Sequence, residues 1–307
     1  MGIAKGTIMN RNLVIGLFIF ALLIYTPLDA EEVKSTSSYS KGNPIRYAEE
    51  ATGLSFQAKV EPIPGGEIDW TRGVVYAVGI GKARADFQGR QAEAMAKRGA
   101  YIVAARNAAL VLAGIRVGPG GRFENVRNGW IRANVTLTGF REIDATYNPA
   151  TRTATARLEL PLYGIRGAVT VLGLKEKNIQ RRWAWPKETV SKTAYDVIVI
   201  DVRGMAYTPV VLPRLVTAEG QCVFDASEIL ANTKDVKPPA RFVTLKRKIK
   251  IPATATRHAR RCLTIKAQRI SSDGAIVLDQ ENLRSLASAA NAQSALKKGR
   301  VVIVTDE

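Results

Sequence analysis

The sequence predicts an α+β protein of two domains: a long alanine-rich helix packed on an antiparallel sheet, followed by a mixed α/β domain. Three observations carry this. One segment, from about residue 85 to 113, repeats small apolar residues at helical spacing. Around it stand short β-branched runs bounded by Gly, Pro, Asn and Asp. The chain has 307 residues, about twice the size of a common domain, with the 46% hydrophobic content of a folded protein.

The first thirty residues read as a secretory signal. Lys5 and Arg11 precede Leu13–Tyr25, an unbroken apolar run; Thr26-Pro27 ends it, and Ala30 offers a small residue for cleavage. The run is short for a permanent anchor, since a spanning helix takes about 20 apolar residues. The expected compartment is therefore the periplasm, with no spanning helix beyond the signal segment. Residues 31–70 are polar, carry Pro44, Pro62, Pro64, Gly65 and Gly66, and read as a flexible extension.

Residues 71–174 form the helix-on-sheet domain. Arg72–Ile80 is a strand candidate, and Gly79 and Gly81 are read as the turn that ends it. In the helix, Ala92, Met95, Ala96, Gly99, Ile102, Val103 and Leu110 recur at steps of three, four and seven and are assigned to the face on the sheet, with Arg90, Glu93, Lys97 and Arg106 off it. Asn134–Ile143 and Thr151–Pro161 are the next strands, with Asn148-Pro149 in a turn between them. Alternation in Thr153–Leu160 suits a half-covered antiparallel strand.

Residues 175–193, charged and interrupted by Pro186, read as a linker. Its Trp183 and Trp185 suit packing between the domains or a membrane interface. The C-terminal domain, 194–307, opens with Tyr195–Val202. Val210–Leu215 and Gln221–Phe224 form a hairpin about Ala218-Glu219-Gly220. Cys262–Ile270 and Ala275–Leu278 are further strands, Glu281–Ala290 is a helix with Asp279 as N-cap, and Arg300–Thr305 is a terminal strand docked in the sheet.

The residues point away from catalysis. Gly79-Ile80-Gly81 lacks the third glycine of a dinucleotide loop, because position 84 is Arg84. His258 is the only histidine and stands among cations in Arg257-His258-Ala259-Arg260-Arg261, without a carboxylate to orient it. One histidine and two distant cysteines make no zinc set. Asp196 and Asp201 are separated by an odd number and so point to opposite faces of their strand. No catalytic, metal or cofactor-binding residue is assigned, and no cofactor is expected. Cys222 and Cys262 are read either as one disulfide or as two small buried hydrophobes.

What the composition does suggest is binding. The net charge is +18, and the first thirty residues contribute only Lys5, Arg11 and Asp29 to it. The densest cationic stretch is 231–270, where Lys246, Arg247, Lys248, Lys250, Arg257, Arg260 and Arg261 are candidates for an anionic partner. Nucleic acid is disfavoured by the export signal and by the scarcity of aromatic residues there, Phe242 being the single one.

Two segments resemble a known group. Val75–Gly81, followed by Ala92, Ala96, Ala100, Ala104, Ala105, Asn107 and Leu110 and then Gly114-Ile115-Arg116-Val117, resembles the LPP-twenty lipoprotein family, to whose broad group the FlgT-like N-terminal domain of flagellar assembly belongs. Val199-Ile200-Asp201-Val202-Arg203-Gly204, with Pro209, Pro213-Arg214, Glu219-Gly220 and Lys298–Val304, is similar to the C-terminal half of larger exported members. The resemblance implies a periplasmic or outer-membrane-associated protein without catalytic residues, some relatives of which stabilise flagellar basal bodies. The chain departs from the lipoproteins in having no Cys at the end of its signal. Two functions are expected from the sequence: non-enzymatic assembly or scaffolding in the envelope, possible as an oligomer, or a module for an anionic envelope component.

Overall fold

The protein is described from a computed structural model, which covers residues 44–118, 121–122, 139–171, 181–185, 194–232, 237–248 and 262–307. It is α+β, as the sequence predicts, with a distinct second domain from residue 197 onward. The expected signal peptide lies outside the described residues.

In the first half, strands β2 (Val60–Ile63), β3 (Gly66–Asp69) and β4 (Val74–Lys82) are followed by helix α2 (Gly89–Gly114). Helix α1 (Pro44–Thr52) and strand β1 (Leu54–Ala58) precede them. A short ribbon of β5 (Arg116–Gly118) and β6 (Gly121–Arg122) leads to β7 (Arg141–Asn148) and β8 (Thr153–Pro161), then α3 (Ala168–Val171). The sheet order is β2-β3-β4-β8-β7, every pair antiparallel. The β7–β8 turn is held by Asn148, whose Oδ1 accepts from the backbone of Ala150 at 2.9 Å and of Thr151 at 3.3 Å.

Two expectations about this half are corrected. Gly79 and Gly81 do not end the strand; they lie within β4, on the face under α2. A Cβ on Gly79 would come 2.2 Å from the Ala104 nitrogen, and one on Gly81 2.2 Å from the Ala96 carbonyl. Strand and helix backbones are thus nearly in contact, and only alanine-sized groups fit between them. Hence the buried face of α2 is the ladder Ala92, Ala96, Ala100, Ala104 and Ala108, and the larger members of the expected stripe are turned outward. Asn107 helps to clamp the helix in place: its Nδ2 donates to the Val78 carbonyl at 2.7 Å.

The second half contains β9 (Val197–Asp201), β10 (Arg214–Thr217), β11 (Cys222–Asp225), α4 (Ala226–Asn232), β12 (Arg241–Lys248), β13 (Cys262–Lys266), β14 (Arg269–Ile270), β15 (Ile276–Leu278), α5 (Gln280–Ser288), α6 (Ala292–Lys297) and β16 (Val301–Thr305). Its main sheet has the order β1-β12-β16-β9-β13, with β12, β16, β9 and β13 mutually parallel. A second sheet runs β11-β10-β15-β14. The stretch read as one strand, Cys262–Ile270, is split: β13 pairs with β9, and after Ala267-Gln268 the chain enters the other sheet as β14. The β10–β11 hairpin turns at Gly220, where φ is +78°. Asp279 caps α5, its Oδ1 accepting from the Asn282 backbone at 2.7 Å.

The central strands β9 and β16 are buried on both faces, which explains their unbroken Val and Ile runs. On one face Val197, Val199, Val302 and Val304 pack with Ile45 and Ala48 of α1 and with Phe56 of β1. The extension is therefore not a free tether from residue 44 onward. Its apolar residues supply a helix and an antiparallel edge strand, β1, to the C-terminal sheet. On the other face Ile198, Ile200 and Phe242 share one core with Ile68, Trp70, Leu112, Leu160 and Leu162 of the first half. Trp70 meets Phe242 edge-on at 5.9 Å, and Thr71 donates from its hydroxyl to the Phe242 carbonyl at 2.5 Å. The two halves are thus continuous in their packing. Of the expected linker, residues 181–185 are described, and they are hydrogen-bonded along β11.

Candidate functional surfaces

The basic segment begins where the main sheet narrows. Strand β16 ends opposite the middle of β12, Thr305 pairing with Thr244. Beyond that level β12 is paired only with β1, Arg247 opposite Ser55 and Lys248 opposite Leu54. Lys246, Arg247 and Lys248 therefore lie on a two-stranded ribbon that runs past the core, with the Lys246 side chain exposed. Lys250, Arg257, Arg260, Arg261 and His258 lie outside the described residues.

Cys222 and Cys262 are free thiols on different sheets, so the disulfide reading is not realised. Cys222 is buried in β11. Burial pushes its thiol up to about 11, with the Asp225 and Glu228 carboxylates adding to the effect. Cys262, half-buried at the edge in β13, is pushed up to about 12 by burial, against hydrogen bonds from Thr264 and Val199. Both remain protonated at neutral pH and are poor nucleophiles there.

The two carboxylates bracketing β9 are ion-paired at its opposite ends. Asp196 accepts from Arg300 at 3.3 Å. Burial acts to raise the Asp201 carboxyl, but hydrogen bonds from the Arg203 backbone and guanidinium, at 2.7–3.1 Å, outweigh it and hold the group below the usual range. The Asp-x-Arg-Gly turn is tied further by the Gly204 N–H, 2.9 Å from Asp306 Oδ2. Among the described residues no three His, Cys, Asp or Glu side chains gather as metal ligands. No helix among them is long and apolar enough to cross a membrane.

The largest departure from the sequence reading is on α2. Met95, Ile102, Val103 and Leu110 are 41, 57, 38 and 61% exposed. At successive steps of seven, one and seven they lie along the outward side of a 26-residue helix. Exposed Arg98 borders them and exposed Arg106 stands between Ile102 and Leu110, four residues from each, whereas Lys97 is paired with Glu93 at 2.7 Å. The opposite face of the β4–β8 sheet adds Val78 and Ile80, 40 and 62% exposed. The signal for this inversion was legible: alanines spaced strictly by four mark the side of closest approach, and large apolar residues elsewhere on the helix must then face out. Large apolar side chains left exposed along one helix face are the raw material of an association surface.

Comparison with known families matches residues 197–307 to the second domain of Treponema pallidum Tp0624. The match covers the distinct second domain, from β9 to the chain's last strand, and begins close to the expected boundary at 194. No curated protein matches the chain.

Proposed function

We propose that this protein is an exported, non-enzymatic assembly factor of the bacterial envelope, which docks a partner protein on the outward face of α2. The observation that carries the reading is the apolar stripe Met95, Ile102, Val103 and Leu110 on a helix whose other face is fully committed to its own sheet. The exposed cations Arg98, beside the stripe, and Arg106, within it, select the chemistry: a partner surface that is apolar and carries acidic groups. The leader-like first thirty residues support the envelope as the setting. Resemblance to the LPP-twenty and FlgT-like group makes envelope-spanning machines, the flagellar basal body among them, the first place to look for the partner.

The test is a photo-crosslinking residue at position 102, compared with one at the exposed Arg284 of α5, in intact cells. A discrete protein adduct is expected at 102 alone. Ile102→Glu with Leu110→Glu should abolish co-purification of that protein while leaving the melting temperature within a few degrees, since surface changes typically alter stability by about 0.5 kcal/mol or less. Retention of the adduct partner by the double variant would overturn the reading.

A second reading, contact with an anionic lipid or polysaccharide, rests on the β1–β12 ribbon that carries Lys246, Arg247 and Lys248 beyond the sheet. Neutralising these three should remove any salt-sensitive envelope binding under that reading and leave partner recovery intact under the first.

A further inference from the structure

A cleft of about 870 Å³ opens on the opposite half of the molecule from α2, and the proposed docking function makes no use of it. Its wall is the segment Arg181–Trp185, laid parallel to β11: the Trp183 N–H donates to the Cys222 carbonyl and the Cys222 N–H to the Arg181 carbonyl, both at 2.9 Å. These bonds fix the backbone that carries Trp183 and Trp185. The two indoles lie 4.8 Å apart between centroids and are inclined at 58°, so they present two sides of a shallow V. Both pack against the core while remaining partly exposed.

The rest of the lining includes several polar side chains. Arg182 and Glu228 form an ion pair at 2.7 Å, and Gln293 and Lys297 project from α6. A guanidinium, a carboxylate, an amide and an ammonium thus stand around a floor that includes Ile229 and Leu296. The set offers donors and acceptors together. A fatty chain would leave these groups without partners on desolvation, at a cost in affinity. An anion would meet the Lys297 ammonium but also the Glu228 carboxylate, which already engages the Arg182 charge, and the buried Asp225 is held by Arg214 at 3.2 Å. What fits is a neutral ligand with flat apolar faces and a rim of groups that both donate and accept. Pyranose sugars have that form: C–H faces for the indoles, and hydroxyls for the fork-shaped side chains.

We infer that the cleft between Trp183–Trp185 and α6 is a saccharide site, sized for a short stretch of a neutral glycan. The volume lies within the range of roughly 300–1,000 Å³ usual for small-molecule sites. Binding stacks a ring on an indole face and exchanges water for the Glu228, Arg182 and Gln293 side chains.

The experiment is a titration of the purified full chain with N-acetylglucosamine, cello-, malto- and galacto-oligosaccharides, read by tryptophan fluorescence and by calorimetry. At least one series should bind saturably. Trp185→Ala and Gln293→Ala should each weaken that binding by tenfold or more, Gln293→Ala without shifting the melting temperature and Trp185→Ala with a cooperative transition retained; should Trp185→Ala fail to fold, Gln293→Ala, an exposed helix position, carries the test alone. Absence of binding by the folded protein across all four series would sink the proposal, as would binding that Gln293→Ala and every folded cleft variant leave unchanged. Since α2 plays no part, the outcome is independent of the docking test.

Discussion

The antiparallel half and the parallel half solve the same problem, covering a sheet with a helix, in opposite ways. Around β9 and β16 the interface is filled by Val and Ile from both sides, and each large apolar group is consumed inside. Between α2 and β4 the interface is made by leaving side chains out: Gly79, Gly81 and the alanine ladder let the backbones approach. The consequence is visible on the surface. The large hydrophobics that stand exposed among the described residues, from Val60 to Ile165, all belong to the first half, and the second half has none. Close packing through small residues frees the bulky ones for outside use, so the division of labour between core and docking surface follows from which half carries the glycines.

Substitutions sharpen or break that contrast. Phe242 is fully buried between Trp70 of the first half and Tyr207 of the second. Phe242→Ala should cost about 4 kcal/mol and lower one shared unfolding transition, followed by urea denaturation with Trp fluorescence and far-UV dichroism. Separate transitions would show that the halves are packed side by side and not built on one core. Gly79→Val acts on the first half alone. Its side chain would enter the helix backbone, and a loss of about 3 kcal/mol is expected. The smaller addition of one methylene in the second half, Val199→Ile, meets side chains and not backbone and should cost about 1 kcal/mol. If Gly79→Val were tolerated, the account of the α2 interface would be wrong. The smallest effect belongs to Asp279→Ala, which removes one capping bond from α5 and should lower stability by about 1 kcal/mol in the same denaturation assay.

Much of this architecture was written in local signals. The Asp279 cap, the Gly220 hairpin, the alternation of β8 and the β-branched runs of β9 and β16 each have a short-range cause, and each is found where the residues place it. What escaped had a long-range cause. Residues 44–70 look like a tether because their prolines and glycines dominate the local pattern; their order comes from Ile45, Phe56 and Trp70 meeting strands well over a hundred residues away. Hydrophobic size alone points the bulky face of α2 inward, but the two glycines in β4 decide which face can approach. The cleft was legible only as a pair of tryptophans. Its polar rim is assembled from α4 and α6, which sequence spacing does not connect.

The position of β16 has one more consequence. Val301–Thr305 lies between β12 and β9, in the middle of its sheet and not at an edge. Chain growth delivers the neighbours first, and β9 waits for a central partner about a hundred residues downstream. Such nested pairing is slow to form and cannot close early. The sheet can therefore be completed only once its last strand has been made.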